Sequence, residues 1–591
     1  MNRTRKWFAL FSILVVASLV LAACSNGGTT SQQPGQGQQA SGVDSPSYLK
    51  LNLGDEPPSL DPQLATDSVS FEVLGAAYEG LVRRDPNGEI KQGSGMAESW
   101  EVSEDGLTYT FHLRDAKWSD GKPVTANDFA YAWKRAMDPR TASQYSYMVY
   151  RWIKGGHEVA TACDNDGELG NEDDACENDQ EIAKLEEALD NVGIEVVDEK
   201  TLKVTVTENL SQNQGLFLSL LTFPTWYPVR QDIVEQFGDQ FASDADKAVY
   251  NGPFVIKEWE HGNSLRLEKN PNYWDAQTVK LDYIDFVMVP DAAAYINAYE
   301  AGELDITGVP GEYKEQFERD HANELGTYED GGTFYLVLNQ TKKPWNNPKA
   351  RQAIALAFDR ETYIQALLKG IGIPATSYVN PVITAPGEEP GNSFAKKYVD
   401  PLKLLPTKAD PERAKQLWQE ALQEEGLTEV PTIEFVGDDG DVVKTRLEFF
   451  QQQFKQNLGI DLQIVQVPFQ ERLERQRTGK FDIIFAGWGP DYDHPLTYLD
   501  LWVCNGPYND GKYCNAEYDR LVEQLQNEPD PEKQREIAIE LEKLIAKDLP
   551  MVPVYHRVVQ YAQRPFVKGL VRRAVGYSPE FKWAYTQGRQ Q

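Results

Sequence analysis

The densest group of residues able to do chemistry in this chain is Gly487-Trp488-Gly489-Pro490-Asp491-Tyr492. Glycine lets a backbone approach a ligand closely, an indole offers a flat apolar contact, and a carboxylate in a sheltered cleft demands a cationic partner. A peptide's α-ammonium meets that demand, and charge-assisted hydrogen bonds to it are the strong ones. The same six residues also describe a strand-to-loop turn whose aspartate caps its own backbone. Both readings stand at this point.

Other candidate chemistries fail on spacing. There is no Gly-x-Ser-x-Gly elbow, and His157-Glu158-Val-Ala-Thr161 lacks the second histidine of a zinc-protease helix. Gly35-x-Gly37-x-x-Ala40 imitates a dinucleotide fingerprint with no strand before it. Six scattered histidines suggest no metal cluster. Within the acidic run 164–174, placing Gly167 at the sixth position of a calcium loop puts Ala162 first and Asp173 twelfth, so two anchors are wrong. A solvated acidic loop is expected there, with no metal and no cofactor anywhere.

The elements that must position Asp491 are mixed α and β. Leu107 to Leu113 alternates apolar and polar residues after Asp105-Gly106, which predicts a half-buried strand. Thr125-Ala-Asn-Asp128 predicts a capping box for a helix over Phe129 to Met137, stopped by Pro139. A hairpin over Val192–Val197 and Leu202–Val206 turns at Asp198-Glu199-Lys200, completing a small α+β unit. Later, strands at 433–436, 462–467 and 481–486 alternate with helices at 442–456 and 469–477, which predicts a parallel α/β lobe. Ligands on such sheets bind beyond the carboxyl ends of strands, and Gly487 to Asp491 directly follows one. A long helix, 531–546, leads to Pro550-Met-Val-Pro-Val-Tyr555, and no internal repeat is present.

The start of the chain reads as an export signal. Arg3, Arg5 and Lys6 precede an apolar stretch from Trp7 to Val20, then Leu21-Ala22-Ala23-Cys24. This resembles a bacterial lipobox, which implies cleavage before Cys24, lipidation of its thiol and anchoring to the outside of the cell membrane. From Gly27 to Ser47 the composition is too polar to fold, which predicts a flexible tether over 24–47 spanning about 25 Å. Hydrophobic content of 41% and charged content of 25% in 591 residues suit large globular cores. Losing Arg3, Arg5 and Lys6 takes the net charge from −33 to −36, which argues against nucleic acid or an anionic membrane face as partner. With Cys24 assigned to lipid, Cys163, Cys176, Cys504 and Cys514 form an even set. Three pairings are open, of which 163–176 and 504–514 each close a short polar loop and are the expected ones.

Stretches throughout the chain resemble the extracellular solute-binding proteins of peptide ABC importers, family 5, of the oligopeptide-binding type. They include Pro58-Ser-Leu-Asp-Pro62, Glu79-Gly-Leu81, Ala97-Glu-Ser-Trp100, Leu113-Arg-Asp-Ala-Lys-Trp-Ser-Asp-Gly-Lys-Pro-Val-Thr125 and Asn251-Gly252. Asn270-Pro-Asn-Tyr-Trp-Asp275, Ala301-Gly-Glu-Leu-Asp-Ile306, Ala350-Arg-Gln-Ala-Ile-Ala-Leu-Ala-Phe-Asp-Arg360 and Val552-Pro-Val-Tyr555 follow in the expected order.

The resemblance implies a two-lobed α/β periplasmic-binding-protein fold with a hinge and an additional small α+β domain. Lobe I would comprise 48–78, 209–331 and 556–591, the small domain 79–208, and lobe II 332–555, with crossings near Gly332 and Tyr555. It also implies that Asp491 holds the peptide α-ammonium, that Trp488 lines a side-chain pocket, and that Tyr145 touches the peptide; Gly487 joins them as the glycine whose backbone can approach the ligand. The peptide would pair as an added strand, so that side chains are tolerated broadly. Some short-peptide binders carry arginine near the positions of Gln476 and Phe485; here neither is basic, which favours longer or differently anchored peptides. The implied partners are an oligopeptide and an ABC permease, the chain acting as a monomer with no enzymatic activity. An oligosaccharide receptor of the same family and, from another class, a secreted hydrolase are the alternatives.

Overall fold

The first described contacts of the chain are made by polar residues. In the computed structural model, which describes residues 42–164, 176, 178–211 and 213–590, Asp44 accepts the backbone amides of Gly588 and Arg589 at 2.8 and 3.1 Å. Ser47 donates its amide to Asp282 at 2.9 Å. Within the expected tether 24–47, Asp44 and Ser47 are thus held by side-chain acceptors. The export signal, Cys24, the first part of the tether and residues 165–174 of the acidic run 164–174 lie outside the described residues.

Strand β1 (Tyr48–Asn52) leads to helix α1 (Ser68–Ala77), which Asp67 caps by accepting the amide and hydroxyl of Ser70 at 2.9 and 2.8 Å. Then come β2 (Ala97–Val102), β3 (Thr108–Leu113), β4 (Ile194–Asp198) and β5 (Thr201–Thr205), an antiparallel sheet in the order β2-β3-β5-β4. In β3 the expected alternation holds, with Tyr109, Phe111 and Leu113 buried and the residues between them half-buried. Helix α2 (Ala126–Met137) packs here, started by the Asp128 carboxylate, which accepts the Thr125 amide at 2.8 Å, and followed by Pro139. Strands β6 (Phe254–Glu260), β7 (Ser264–Lys269) and β8 (Tyr283–Val287) return to β1 in the order β1-β8-β7-β6, the core of the first lobe.

After helix α3 (Ala292–Glu300) the second lobe is built on one large sheet. Its strands are β9 (Ile306–Gly308), β10 (Leu325–Leu338), β11 (Ile373–Pro374), β12 (Ile433–Asp438), β13 (Leu462–Val467), β14 (Ile483–Trp488) and β15 (Met551–Gln563). Helices α4 (Asp441–Leu458), α5 (Phe469–Arg477) and α6 (Pro531–Asp548) are interleaved. Strand β12 pairs in parallel with β13 and β14, as the alternating pattern predicts. The sheet as a whole is mixed rather than parallel, because β10 and β15 run antiparallel to their neighbours. These two long strands pair from Leu325–Ala562 to Val337–Met551. Gly332 and Tyr555, the expected crossings, thus lie inside strands rather than in linkers. The ladder is interrupted between Glu329 and Thr333. There Gly331 has a positive φ of 73°, and a side chain at this position would collide with the Ala574 carbonyl. No described helix is long and apolar enough to cross a membrane.

Candidate binding site

Pairing with β10 carries β14 two residues further than its sequence pattern predicts, to Thr333 opposite Trp488. Gly487 and Trp488 are therefore strand residues, and the turn begins at Gly489. Gly487 pairs with Phe334, whose ring would stand 2.9 Å from a Cβ at that position. Its missing side chain makes room for the protein's own core, whereas Gly489 faces open space.

Beyond the turn, the Asp491 amide donates to Thr497 Oγ1 at 3.0 Å, which fixes the carboxylate inward at 6% exposure. The Tyr145 hydroxyl donates to Asp491 Oδ1 at 3.2 Å, across 346 residues of sequence. Asp491 Oδ2 is buried with no hydrogen-bond partner, and so is the indole Nε1 of Trp488. Burial pushes the Asp491 carboxyl well above the usual range; the Tyr145 hydrogen bond opposes this and the nearby Asp500 carboxylate adds to it.

Aromatic rings enclose this carboxylate. Tyr145 lies 6.3 Å from Trp488 in a near-parallel arrangement and 5.3 Å from Tyr508, while Trp488 meets Tyr508 edge-on at 4.8 Å. Phe71 and Phe223 pack behind Tyr145 at 5.7 and 5.4 Å. The structure thus brings three of the four sequence-predicted residues, Tyr145, Trp488 and Asp491, into one cluster. Gly487 contributes backbone at its edge. Phe71, Phe223 and Tyr508 carried no signal of their own, since they come from three distant segments.

Direct bonds hold the two sides of this site together. Arg151, just after the short helix Tyr147–Tyr150, reaches Asp500 at 2.6 Å and lies 4.8 Å over the Tyr147 ring. Burial pushes the Asp500 carboxyl up to about 6, and Arg151 moderates the shift. At another edge Asp441, which opens α4, accepts the Ala292 amide of α3 at 3.0 Å. Burial pushes the Asp55 carboxyl up to about 6, with Asp438 and Asp439 adding to the shift and Arg472 opposing it.

Gln476 and Phe485 do not offer a site for an anion. Gln476 donates to Asp510 at 2.5 Å and accepts from Arg472 at 2.7 Å, and Phe485 is buried among Phe334 and Phe450. The sulfur atoms of Cys163 and Cys176, and of Cys504 and Cys514, are paired at disulfide distance, with Cα separations of 4.9 and 4.6 Å. The one group of possible metal ligands among the described residues, Cys504, Cys514 and Asp519, uses both thiols of such a pair.

Comparison with known proteins agrees with this architecture. The chain is similar to the dipeptide-binding protein DppE of Bacillus subtilis, at 33% identity over 91% of each chain. It is similar to the substrate-binding domain of an oligopeptide ABC transporter from Bacillus anthracis, with a TM-score of 0.83 and 32% identity over 92% of this chain and 99% of that one. It also resembles Listeria monocytogenes OppA bound to peptide, with a TM-score of 0.81 and 31% identity over 92% and 99%. The model of the bacterial extracellular solute-binding proteins, family 5, middle region, matches residues 91–510. Covering more than half of the chain, and joined by 33% identity to a relative matched over 91% of its length, this match establishes that the chain belongs to the bacterial extracellular solute-binding proteins of family 5.

Proposed function

We propose that this protein captures oligopeptides between its lobes and delivers them to an ABC permease, tethered by a lipid on Cys24. The observation that carries the reading is the Asp491 carboxylate, buried in an aromatic enclosure with one oxygen unpartnered. A buried carboxylate without a cation is costly, and a ligand that brings one recovers that cost. A peptide α-ammonium has the charge and the donors for Oδ2, while Tyr145 holds Oδ1. Trp488 and Tyr508 offer apolar surface to the first side chain, and main-chain pairing supplies affinity that tolerates sequence variation. The relatives named for dipeptide and oligopeptide binding support this substrate class.

The roles fall on both sides of the cleft. Tyr145 and Arg151 come from the region expected as the small domain, 79–208, and Asp491, Trp488 and Asp500 from lobe II, 332–555. Closing the lobes completes the ammonium site and excludes water from it. Opening separates Tyr145 from Asp491 and returns the carboxylate to solvent, which releases the peptide.

Isothermal titration calorimetry with short peptides and their N-acetylated forms tests the reading. Acetylation is expected to weaken binding about 100-fold, as loss of a buried charged hydrogen-bond partner does. Equal affinity for both forms would remove the ammonium role. Binding of cello- or xylo-oligosaccharides in place of peptides would transfer the aromatic enclosure to sugars, and cleavage of the peptide during incubation would mark a hydrolase. Incorporation of labelled fatty acid that is lost in Cys24→Ser tests the anchor.

A further inference from the structure

The two cysteine pairs close segments of different character. Between Cys163 and Cys176 the sequence holds no aromatic residue, whereas Tyr508 and Tyr513 lie between Cys504 and Cys514. Of these rings, Tyr508 belongs to the candidate site: it lies 4.8 Å from Trp488, 5.3 Å from Tyr145 and 6.2 Å from Tyr147. The bridge between Cys504 and Cys514 closes the loop that carries this wall of the enclosure.

Both ends of the bridge stand on helices of the second lobe. Cys504 comes two residues after the short helix Asp500–Trp502, and Cys514 precedes Asn515, which caps the helix Ala516–Asn527. Between them the loop has two faces. Asn505, Pro507, Lys512 and Cys514 are exposed, Tyr508 is half-buried, and Asn509, Asp510 and Gly511 are buried. The cross-link is on the solvent side and the ring on the ligand side.

The two halves of the loop are held unequally. The second half is pinned to the rest of the lobe, since Gln476 donates to Asp510 at 2.5 Å and the Gln340 amide donates to the Gly511 carbonyl at 2.9 Å. In the first half the Gly506 amide donates to the Val503 carbonyl and the Asn509 amide to the Gly506 carbonyl, each at 3.0 Å and each within the loop or at its edge. The Asn509 side chain spans the base, donating to the Val503 and Tyr513 carbonyls at 2.9 and 2.5 Å and accepting the Tyr513 amide at 3.0 Å. Asn505 and Lys512 have positive φ of 58° and 56°, which residues other than glycine keep only where their surroundings fix them. Closing the loop covalently removes alternatives otherwise open to residues 505–508, and Tyr508 is the residue among them that reaches the site.

We propose that the Cys504–Cys514 bridge is a positioning element for peptide selection, which holds Tyr508 against Trp488 and so sets how strongly the site discriminates among first side chains. The inference rests on the peptide reading above and deepens it. With the bridge, the Tyr508 ring is a fixed wall for a large apolar side chain at the first position. Without it, the ligand must order the ring, and that cost falls on peptides that use the wall. A glycine in first position makes no such contact.

Calorimetry on the purified protein with phenylalanyl-tetra-alanine and glycyl-tetra-alanine tests the assignment. The wild type is expected to prefer the phenylalanyl peptide about tenfold. Replacing the bridge by Cys504→Ser with Cys514→Ser should lower that preference to about threefold or less, while Cys163→Ser with Cys176→Ser retains it. Tyr508→Ala loses the preference and Tyr508→Phe keeps it. Removing the bridge in the Tyr508→Ala background lowers it no further, because both changes act on one ring. Wild-type protein reduced with dithiothreitol, its four thiols verified by alkylation and mass spectrometry, should match the bridge-free variant and serves in its place if that variant does not fold. Preference unchanged on loss of the bridge overturns the proposal, and a lower melting temperature alongside it makes the bridge a structural staple alone. Equal weakening of both peptides, or a further loss of preference in the Tyr508→Ala background, also overturns it. N-acetylated peptides run alongside separate the two readings: an acetyl effect that persists while the first-residue preference is absent from the wild type sinks this proposal and leaves the peptide reading intact, whereas no binding of any peptide removes both.

Discussion

Two buried charged regions of this protein are built on opposite plans. Around Arg83 every charge is answered. Glu79 accepts from Arg83 at 2.8 Å, Tyr273 at 2.9 Å and Trp274 at 2.5 Å, while Glu580 takes Arg83 at 3.3 Å and also Arg573. Lys582 closes the network on Asp275 at 3.1 Å. Around Asp491 one oxygen has a partner and the other has none. The first region ties distant segments together, whereas the second carries an unmet electrostatic demand that a ligand can meet. Depth of burial is similar in the two, so they differ in completeness of pairing, on which the proposed binding role of Asp491 rests.

The largest effect expected from this contrast is on folding. Glu79→Ala leaves Arg83 and Lys582 buried against fewer partners and should cost about 3 to 5 kcal/mol, read as a clear fall in melting temperature. Asp491→Asn should do the reverse. Peptide affinity drops about 100-fold or more, while the ligand-free protein melts at the same temperature or higher. A fall in stability like that of Glu79→Ala, with affinity retained, would erase the distinction.

A smaller effect is expected where the two plans meet. Arg151→Met strands Asp500 in the closed arrangement, and affinity should fall about tenfold because closure becomes costlier. Arg151→Met combined with Asp500→Leu should recover most of it; no recovery would mean that the pair acts through something other than its charges.

The smallest effect is on pH dependence. The Asp491 carboxyl is raised by burial, so its contribution to the stability of the closed, ligand-free protein is full at low pH and fades as pH rises through its folded-state value. An α-ammonium requires the ionised form, so peptide binding expels a proton. Affinity should rise with pH until the carboxyl of the ligand-free protein is ionised, and calorimetry in buffers of different ionisation enthalpy should detect the release. Its persistence in Asp491→Asn would place the proton elsewhere, with Asp500 and Asp67, each pushed up to about 6, as the next carboxyls to replace.

Much of this architecture was legible in the sequence because it is local. The alternation of Leu107 to Leu113, the Thr125–Asp128 cap and the strand–helix repeats after Ile433 depend on neighbours in the chain. Residues 487–492 were legible for the same reason. What escaped depends on distant pairing. Strand β14 extends to Trp488 only because Thr333 lies opposite, and the mixed sense of the sheet is set by β10 and β15. Phe71, Phe223 and Tyr508 join Tyr145 and Trp488 through folding alone. The early contacts of Asp44 are invisible in a stretch that is polar throughout.

The paired strands β10 and β15, with their ladder broken between Glu329 and Thr333, behave as a leaf spring. Such a ribbon resists stretching and sliding along its length but yields where its rungs are missing. On the proposed function, the lobes would part there as a book does about its spine, and a peptide would enter broadside rather than by threading an end. Cargo length would then be limited by what the closed covers can hold or let protrude, and not by the width of a doorway.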